Sequence, residues 1–232
     1  MLELLAVVAL QTATLPNAVP LVKVSAQQPS QASLALTVAQ LSYPRESLPV
    51  AQDSYMRDFA NNIVKTPQGA RIEQRFPGFA LRFSKAAQIV TRRSLYARLP
   101  ELHRQLSKYY AANLSAEEME QAIAFLSSRA AKQIVLGTSS NIDVGSLILN
   151  HSAEGKTQVM DRAAAQAFAG LSPSEVAESS AFLKSPVGRR MVELGAGARV
   201  IAQAWTDSDS SLKSKIEALP MNIIREMSAR KR

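Results

Sequence analysis

The chain has 232 residues, of which 47% are hydrophobic, and it carries a formal net charge of +8 with no Cys and two His. This length allows one domain or at most two small ones, and the hydrophobic fraction excludes a globally disordered chain. The absence of Cys excludes disulfides, thiol nucleophiles and Cys-based metal clusters, and two His leave little for a multi-His centre. No apolar run is long enough for a confident membrane-spanning helix.

The N-terminal 26 residues have features of an export signal. Residues 4–10 read LLAVVAL, a short apolar run typical of the h-region of a secretory signal peptide, although no Lys or Arg precedes it. The best small-residue cleavage pattern is Val24-Ser25-Ala26. We therefore predict a signal peptide at 1–26 and a periplasmic or secreted protein. The alternative is a buried N-terminal helix or a disordered tail in a cytoplasmic protein.

The rest of the chain divides into a linker and a helical body. Residues 27–33 read QQPSQAS, which is a linker composition, so we predict a flexible linker at 27–42. Beyond it helix formers abound and alternating β-branched runs are missing, which predicts an all-α, multi-helix bundle in a single domain over 43–232. We divide this domain into a basic helical part at 43–112 and a repeat part at 113–232.

The basic part is predicted to form three helices, over 47–64, 79–98 and 100–112, with Pro100 at the first position of the third. One side of the second helix carries an apolar stripe at helical spacing, which consists of Phe79, Phe83, Ala86, Val90 and Ala97. The other side carries four basic residues with Ile89 and Tyr96 between them, and these are Arg82, Lys85, Arg92 and Arg93.

Two segments of the repeat part resemble each other at an offset of 57 residues. Residues 114–135 and 171–192 are identical at eight of 22 positions. Each begins with a capping box, in which a Ser caps the helix start and a Glu three residues later reaches back to it. We therefore predict two related helix–turn–helix repeats. The paired positions are Ser115 and Ser172, Glu118 and Glu175, and the core or interface residues Phe125 and Phe182.

A proline interrupts the second of these segments. Ser185 and Pro186 match the N-cap and the first position of a new helix. The apolar stripe stays in phase across this point, so a kinked helix is the alternative. A final helix is predicted at about 210–229, with a break or kink near Pro220.

The second segment also carries a family resemblance. Residues 171–191 read LSPSEVAESSAFLKSPVGRRM, which resembles the hallmark of the bacterial family catalogued as domain of unknown function 2059. The matching residues are Ser172, Glu175, Phe182, Ser185, Pro186, Gly188 and Arg189. The resemblance covers about 105–205, and the first segment departs from it with Arg129 in place of Pro and Ala131 in place of Gly. It implies a helical protein of the bacterial envelope and lends no chemistry to any residue.

No residue pattern indicates catalysis, a cofactor or a metal. The glycines of Gly195-Ala196-Gly197 lie inside a predicted helix, which favours close helix packing over phosphate binding. His103 is predicted to be a surface or boundary residue. Glu118 and Glu175 could form a pair of carboxylates, but helix capping already explains both. We therefore assign no catalytic, cofactor-binding or metal-ligating residue and favour a non-enzymatic protein.

Charge is the feature that indicates a function. Residues 57–108 hold 11 Lys or Arg and three acids, so this segment alone equals the net charge of +8. A basic helical region can bind anionic lipid, lipopolysaccharide or nucleic acid, or it can be a solvated face that keeps the protein soluble. We assign four candidate anion-binding residues, Arg82, Lys85, Arg92 and Arg93.

The leading hypothesis is a non-enzymatic, exported helical protein that binds a partner protein or an anionic envelope component. The alternative is a cytoplasmic nucleic-acid-binding module that uses the basic segment 57–108, and export would take nucleic acid out of reach. A third hypothesis, a cryptic enzyme, requires convergent polar groups in a pocket. The sequence does not indicate an oligomeric state.

Overall fold

The computed structural model describes residues 29–49, 64–141 and 153–229, and within these ranges it contains nine α-helices and no β-strand. The helices are α1 (Gln31–Ser42), α2 (Pro67–Arg75), α3 (Phe79–Asn113), α4 (Ala116–Leu126), α5 (Arg129–Asn141), α6 (Ala153–Ala169), α7 (Pro173–Lys184), α8 (Pro186–Asp207) and α9 (Ser210–Ala229). The predicted all-α, multi-helix bundle is therefore confirmed. The predicted signal peptide and most of the helix predicted over 47–64 lie outside the described ranges.

The main core lies between α1, the C-terminal half of α3, and helices α4 to α8. Helix α3 contributes one continuous stripe at spacings of three and four residues, as an amphipathic helix requires. Its members Leu102, Leu106 and Tyr110 are at most 1% exposed. Met119 of α4 and Met191 of α8 are fully buried against the same core. The main core thus packs α1, at the start of the described chain, together with helices as far along the chain as α8.

The flexible linker predicted at 27–42 is wrong for residues 31–42, because they form α1. Ser30 caps this helix by accepting a hydrogen bond from the Ser33 amide. Four apolar side chains on one face then enter the main core, namely Leu34, Ala35, Val38 and Ala39. The Gln- and Ser-rich start hides this face, since composition alone does not register spacings of three and four residues. The folded unit therefore begins before residue 43.

The prediction of two separate helices at 79–98 and 100–112 is also wrong. These residues form the single 35-residue helix α3, which has Pro100 inside it. A proline removes one helical hydrogen bond and crowds the preceding turn, but it does not end a helix that packing holds on both sides. Leu99 and Leu102 flank Pro100 and are 4% and 1% exposed, respectively. Their burial in the main core keeps the chain helical across the proline.

A second, smaller apolar cluster holds the N-terminal half of α3. Phe79, Phe83 and Ala87 are buried there against Ile223 and Met227 of α9, and α2 packs on the same cluster. Phe79 and Phe83 belong to the predicted stripe, whereas Ala97 of that stripe is exposed. Helix α9 begins and ends as predicted, with Pro220 inside it. Because α9 covers the apolar side of this half of α3, the opposite side is left to solvent.

The two similar segments each form a pair of helices, α4–α5 and α7–α8. Both predicted capping boxes are present, since the Ser115 and Ser172 side chains accept from the Glu118 and Glu175 amides and each Glu accepts from its Ser amide. Ser185 caps a new helix with Pro186 at its first position, as the first alternative predicted. The first segment breaks at the matching place without a proline, because Ser128 caps α5 by accepting from the Ala131 amide.

The two segments pack on each other within one chain. Helix α4 contacts α8, and α5 contacts α7. Phe125 and Phe182 stack nearly parallel, with ring centroids 4.0 Å apart and an interplanar angle of 9°. Arg129 at the start of α5 forms an ion pair with Glu175, Nε to Oε1 at 3.2 Å. Of the three pairs of equivalent positions, Phe125 and Phe182 thus meet, while a structural relation between the two helix pairs stays a prediction.

A polar clamp at Asp209 holds the corner between α8 and α9 against the middle of α3. The carboxylate accepts from the Ser94 hydroxyl and from the Leu212 amide, and it lies 3.3 Å from Arg98 Nη1. Arg98 also stacks over the Trp205 ring at 5.2 Å. The Ser94 hydroxyl, with the Leu212 amide and Arg98, holds the pKa of Asp209 below its ordinary value of 3.8.

We expect Asp209→Asn to lower the free energy of unfolding by about 1–3 kcal/mol at pH 7, the usual cost of losing a charged hydrogen-bond acceptor. A carboxyl whose pKa is lowered by folding stabilises the protein above its ordinary pKa and loses that effect as the pH falls through the lowered value. The difference between the wild-type protein and Asp209→Asn should therefore shrink below about pH 4. Urea unfolding at pH 7 and pH 3 measures this. The exposed Glu217 on α9 provides the control Glu217→Gln, which should change stability little.

Candidate functional site

The structure places the four candidate anion-binding residues on one face of α3. Residues separated by three, four, seven or eleven positions share a helix face, and this spacing relates Arg82, Lys85, Arg92 and Arg93. Arg82, Lys85 and Arg93 are exposed, and Arg92 is partly exposed. We define the basic face as these four residues together with Leu81, Ile89 and Tyr96. From Arg82 to Tyr96 it extends about 21 Å along the helix.

Two large apolar side chains of the basic face are exposed among these cations. Leu81 is 58% exposed and Ile89 is 70% exposed. No Asp or Glu occurs between Glu73 and Glu101 in the sequence, so α3 itself places no carboxylate on this stretch. Cations next to exposed apolar side chains are typical of helix faces that lie in a lipid–water interface. The sequence analysis missed Leu81, although its position on the basic side of the helix is a readable signal.

The segment after α1 adds a further cation to the basic face. Arg45 stacks on Tyr96, with its guanidinium carbon 4.7 Å from the ring centroid. The sequence analysis missed this residue, because 51 positions separate the two and only the packing of α1 on α3 brings them together. By contrast, Arg98 of the same helix points into the polar clamp and pairs with Asp209 and Glu101. Arg98 is therefore part of the polar clamp and not of the basic face.

The other residues singled out in the sequence have structural contacts. Glu118 and Glu175 each accept from the backbone of their own capping residue. Hydrogen bonds from the Ser172 hydroxyl and amide, with Arg129 nearby, hold the pKa of Glu175 below its usual range. His103 is buried rather than at the boundary, and its Nε2 lies 2.8 Å from the Tyr43 carbonyl oxygen.

Among the glycines that the structure describes, Gly188 and Gly197 have the closest neighbours. A Cβ on Gly197 would lie 2.6 Å from Cζ of Tyr109, so its lack of a side chain lets α8 approach α3 closely. The packing role predicted for Gly195 and Gly197 is confirmed at Gly197. Gly188 lies where the backbone of α7 ends, and its amide donates to the Ser185 cap.

Within the described ranges, no three His, Asp or Glu residues group closely enough to suggest a metal site. The helices of those ranges include none that is both long and apolar enough to cross a membrane. Comparison of the chain with protein-family models, with curated proteins and with solved structures found no match. The family resemblance at 105–205 therefore stays a prediction.

Proposed function

We propose that this protein is a non-enzymatic helical protein of the bacterial envelope that binds anionic lipid surfaces through the basic face. The observation that carries the proposal is the arrangement on α3, where Arg82, Lys85, Arg92 and Arg93 surround the exposed Ile89. Lipid surfaces offer both chemistries at once, because anionic headgroups attract the cations and the acyl boundary takes up apolar side chains. A solvated face that serves only solubility does not require Leu81 and Ile89 to be exposed.

The fold supports this proposal by holding the helix that carries the basic face in place. The N-terminal half of α3 is held from behind by α9 through Phe79 and Phe83. The clamp between Arg98 and Asp209 fixes α3 further along. Because the helix that carries the cations is already folded, no backbone entropy is lost in forming it on binding, which favours surface association.

Export is the second element of the proposal and is motivated by the apolar run at 4–10. Intact mass spectrometry of a C-terminally tagged copy after cell fractionation tests it. A mature chain that starts near Gln27 in the periplasm supports export, whereas a full-length chain in the cytoplasm contradicts it and favours the nucleic-acid alternative.

We expect the triple variant Arg82→Gln, Lys85→Gln, Arg93→Gln to bind phosphatidylglycerol vesicles about 100-fold more weakly at low salt, since each basic residue near an anionic surface contributes about 1 kcal/mol. Vesicle co-sedimentation over a salt series measures this. Wild-type binding should also weaken with salt and be absent on phosphatidylcholine vesicles, because the attraction is electrostatic.

The control variant removes three positive charges elsewhere, through Lys184→Gln, Lys213→Gln and Lys215→Gln, which are all exposed. It should bind vesicles nearly as well as the wild-type protein. Equal losses in both variants would show that net charge, not the basic face, governs binding. Tight, salt-dependent binding to duplex DNA with no binding to vesicles would replace this proposal with the nucleic-acid alternative.

A further inference from the structure

A cleft of about 430 Å³ opens beside the basic face, between α1, the segment after it, and α3. We call it the Tyr96 cleft. Its apolar lining consists of Leu41, Pro44, Leu99 and Pro100, and its polar lining consists of Thr37, Gln40, Arg45, Glu46, Tyr96 and His103. This volume lies within the range of small-molecule sites, which combine apolar walls with a few placed polar groups.

The Tyr96 cleft adjoins a shallower cleft on the basic face. The second cleft has a volume of about 280 Å³ and is lined by Gln88, Ile89, Arg92, Arg93 and Tyr96. Because Tyr96 lines both clefts, the two clefts meet at its side chain, with Arg45 in the lining of the first and Arg93 in the lining of the second. The basic face thus leads into a concave pocket at this end.

We infer that the Tyr96 cleft binds a single phosphate monoester headgroup, with Arg45 as the cation that recognises it. This inference rests on the proposed lipid-binding function and names the headgroup class that the basic face selects. An Arg guanidinium presents two parallel donors to two phosphate oxygens, which a Lys ammonium does not. Stacking on the Tyr96 ring holds the Arg45 guanidinium in place before the ligand arrives.

The monoester follows from the two-sided arrangement of cations. A phosphate monoester has three terminal oxygens and a charge of about −1.5 to −2 at neutral pH, so Arg45 can bind two of them while the third faces the adjoining cleft, whose lining includes Arg93. A diester headgroup such as that of phosphatidylglycerol has two terminal oxygens and a single charge. The apolar lining of the Tyr96 cleft suits the glycerol and first acyl carbons that follow the phosphate. Among the described residues that line this cleft, Glu46 is the one acid, and its carboxylate opposes an anion there.

The test compares vesicles that contain phosphatidic acid with vesicles of phosphatidylglycerol at matched surface potential. We expect the wild-type protein to prefer phosphatidic acid by about tenfold, the effect of one charge-assisted bidentate contact. Arg45→Lys keeps the charge but loses the two parallel donors, so the preference for phosphatidic acid over phosphatidylglycerol should fall to about twofold. Glu46→Gln should raise binding to phosphatidic acid. Circular dichroism confirms that the variants fold, and Arg45 and Glu46 are both exposed.

The outcomes separate this inference from the proposed function. No preference in the wild-type protein, or an equal loss on both lipids in Arg45→Lys, overturns the headgroup site and leaves binding through the basic face intact. If no vesicle binds at all, the proposed function fails, and calorimetry with glycerol 3-phosphate then decides about the cleft. If glycerol 3-phosphate binds to the wild-type protein but not to Arg45→Lys, the Tyr96 cleft is a site for a soluble phosphate ester. If the wild-type protein gives no heat of binding, the inferred phosphate site is overturned.

Discussion

Gly188→Ala is expected to lower the free energy of unfolding by about 2–4 kcal/mol, although alanine is normally the better helix residue. A Cβ at this position would overlap the carbonyl oxygen of Phe182 and lie 2.7 Å from its carbonyl carbon and 2.9 Å from Cα of Leu183. All three atoms belong to the backbone at the end of α7, so no side-chain rotation relieves the overlap. Urea unfolding of the purified variant measures the loss.

Gly170→Ala is the matched control for this prediction. A Cβ there meets its nearest neighbours at 3.5 Å, an ordinary contact, and Gly170 is exposed. Its stability should stay within about 0.5 kcal/mol of wild type. If Gly188→Ala is as stable as this control, the close approach of Gly188 to the backbone of α7 is contradicted.

Phe125→Ala is expected to lower the free energy of unfolding by about 3–5 kcal/mol, the usual cost of emptying a buried phenylalanine site. Phe125 is 6% exposed and stacks on Phe182, which is partly exposed. Because the two rings contact each other, their substitutions should not add. In a double-mutant cycle with Phe182→Ala we expect a coupling energy of about 1 kcal/mol beyond the single effects.

The control cycle pairs Phe182→Ala with Phe83→Ala. Phe83 belongs to the second apolar cluster, so these two substitutions should add within about 0.5 kcal/mol. A coupling of zero between Phe125 and Phe182 would contradict the packing of the two similar segments on each other. Denaturant midpoints with unchanged slopes are needed for the comparison, because a changed slope indicates a different unfolded state.

Local signals in the sequence predicted most helix starts. The capping boxes at Ser115 and Ser172 and the Ser185-Pro186 start depend on residues within three positions of each other, and the structure contains all of them. Local composition gave a wrong prediction where packing of distant segments outweighed local preference. Residues 31–42 have a linker-like start but form α1, because burial of one apolar face in the main core outweighs propensity.

The candidate site also contains some residues that local spacing predicts and others that only packing brings together. Helical spacing alone was sufficient to place Arg82, Lys85, Arg92 and Arg93 on one side of a helix, since period 3.6 is a property of the local backbone. Arg45 and the Tyr96 cleft required the packing of α1 on α3, which joins residues 51 positions apart. The spacing of residues within a single helix does not predict the contact between Arg45 and Tyr96.

Residues close together in the sequence were enough to predict the helical class, the polarity of α3 and the caps at Ser115, Ser172 and Ser185, because hydrogen bonds and side-chain spacing within a few residues decide them. The tertiary structure decided what those local rules leave open. It kept α3 helical through Pro100, brought α1 into the core and stacked Phe125 on Phe182. Each of these depends on apolar surface that is removed from water only when distant segments meet.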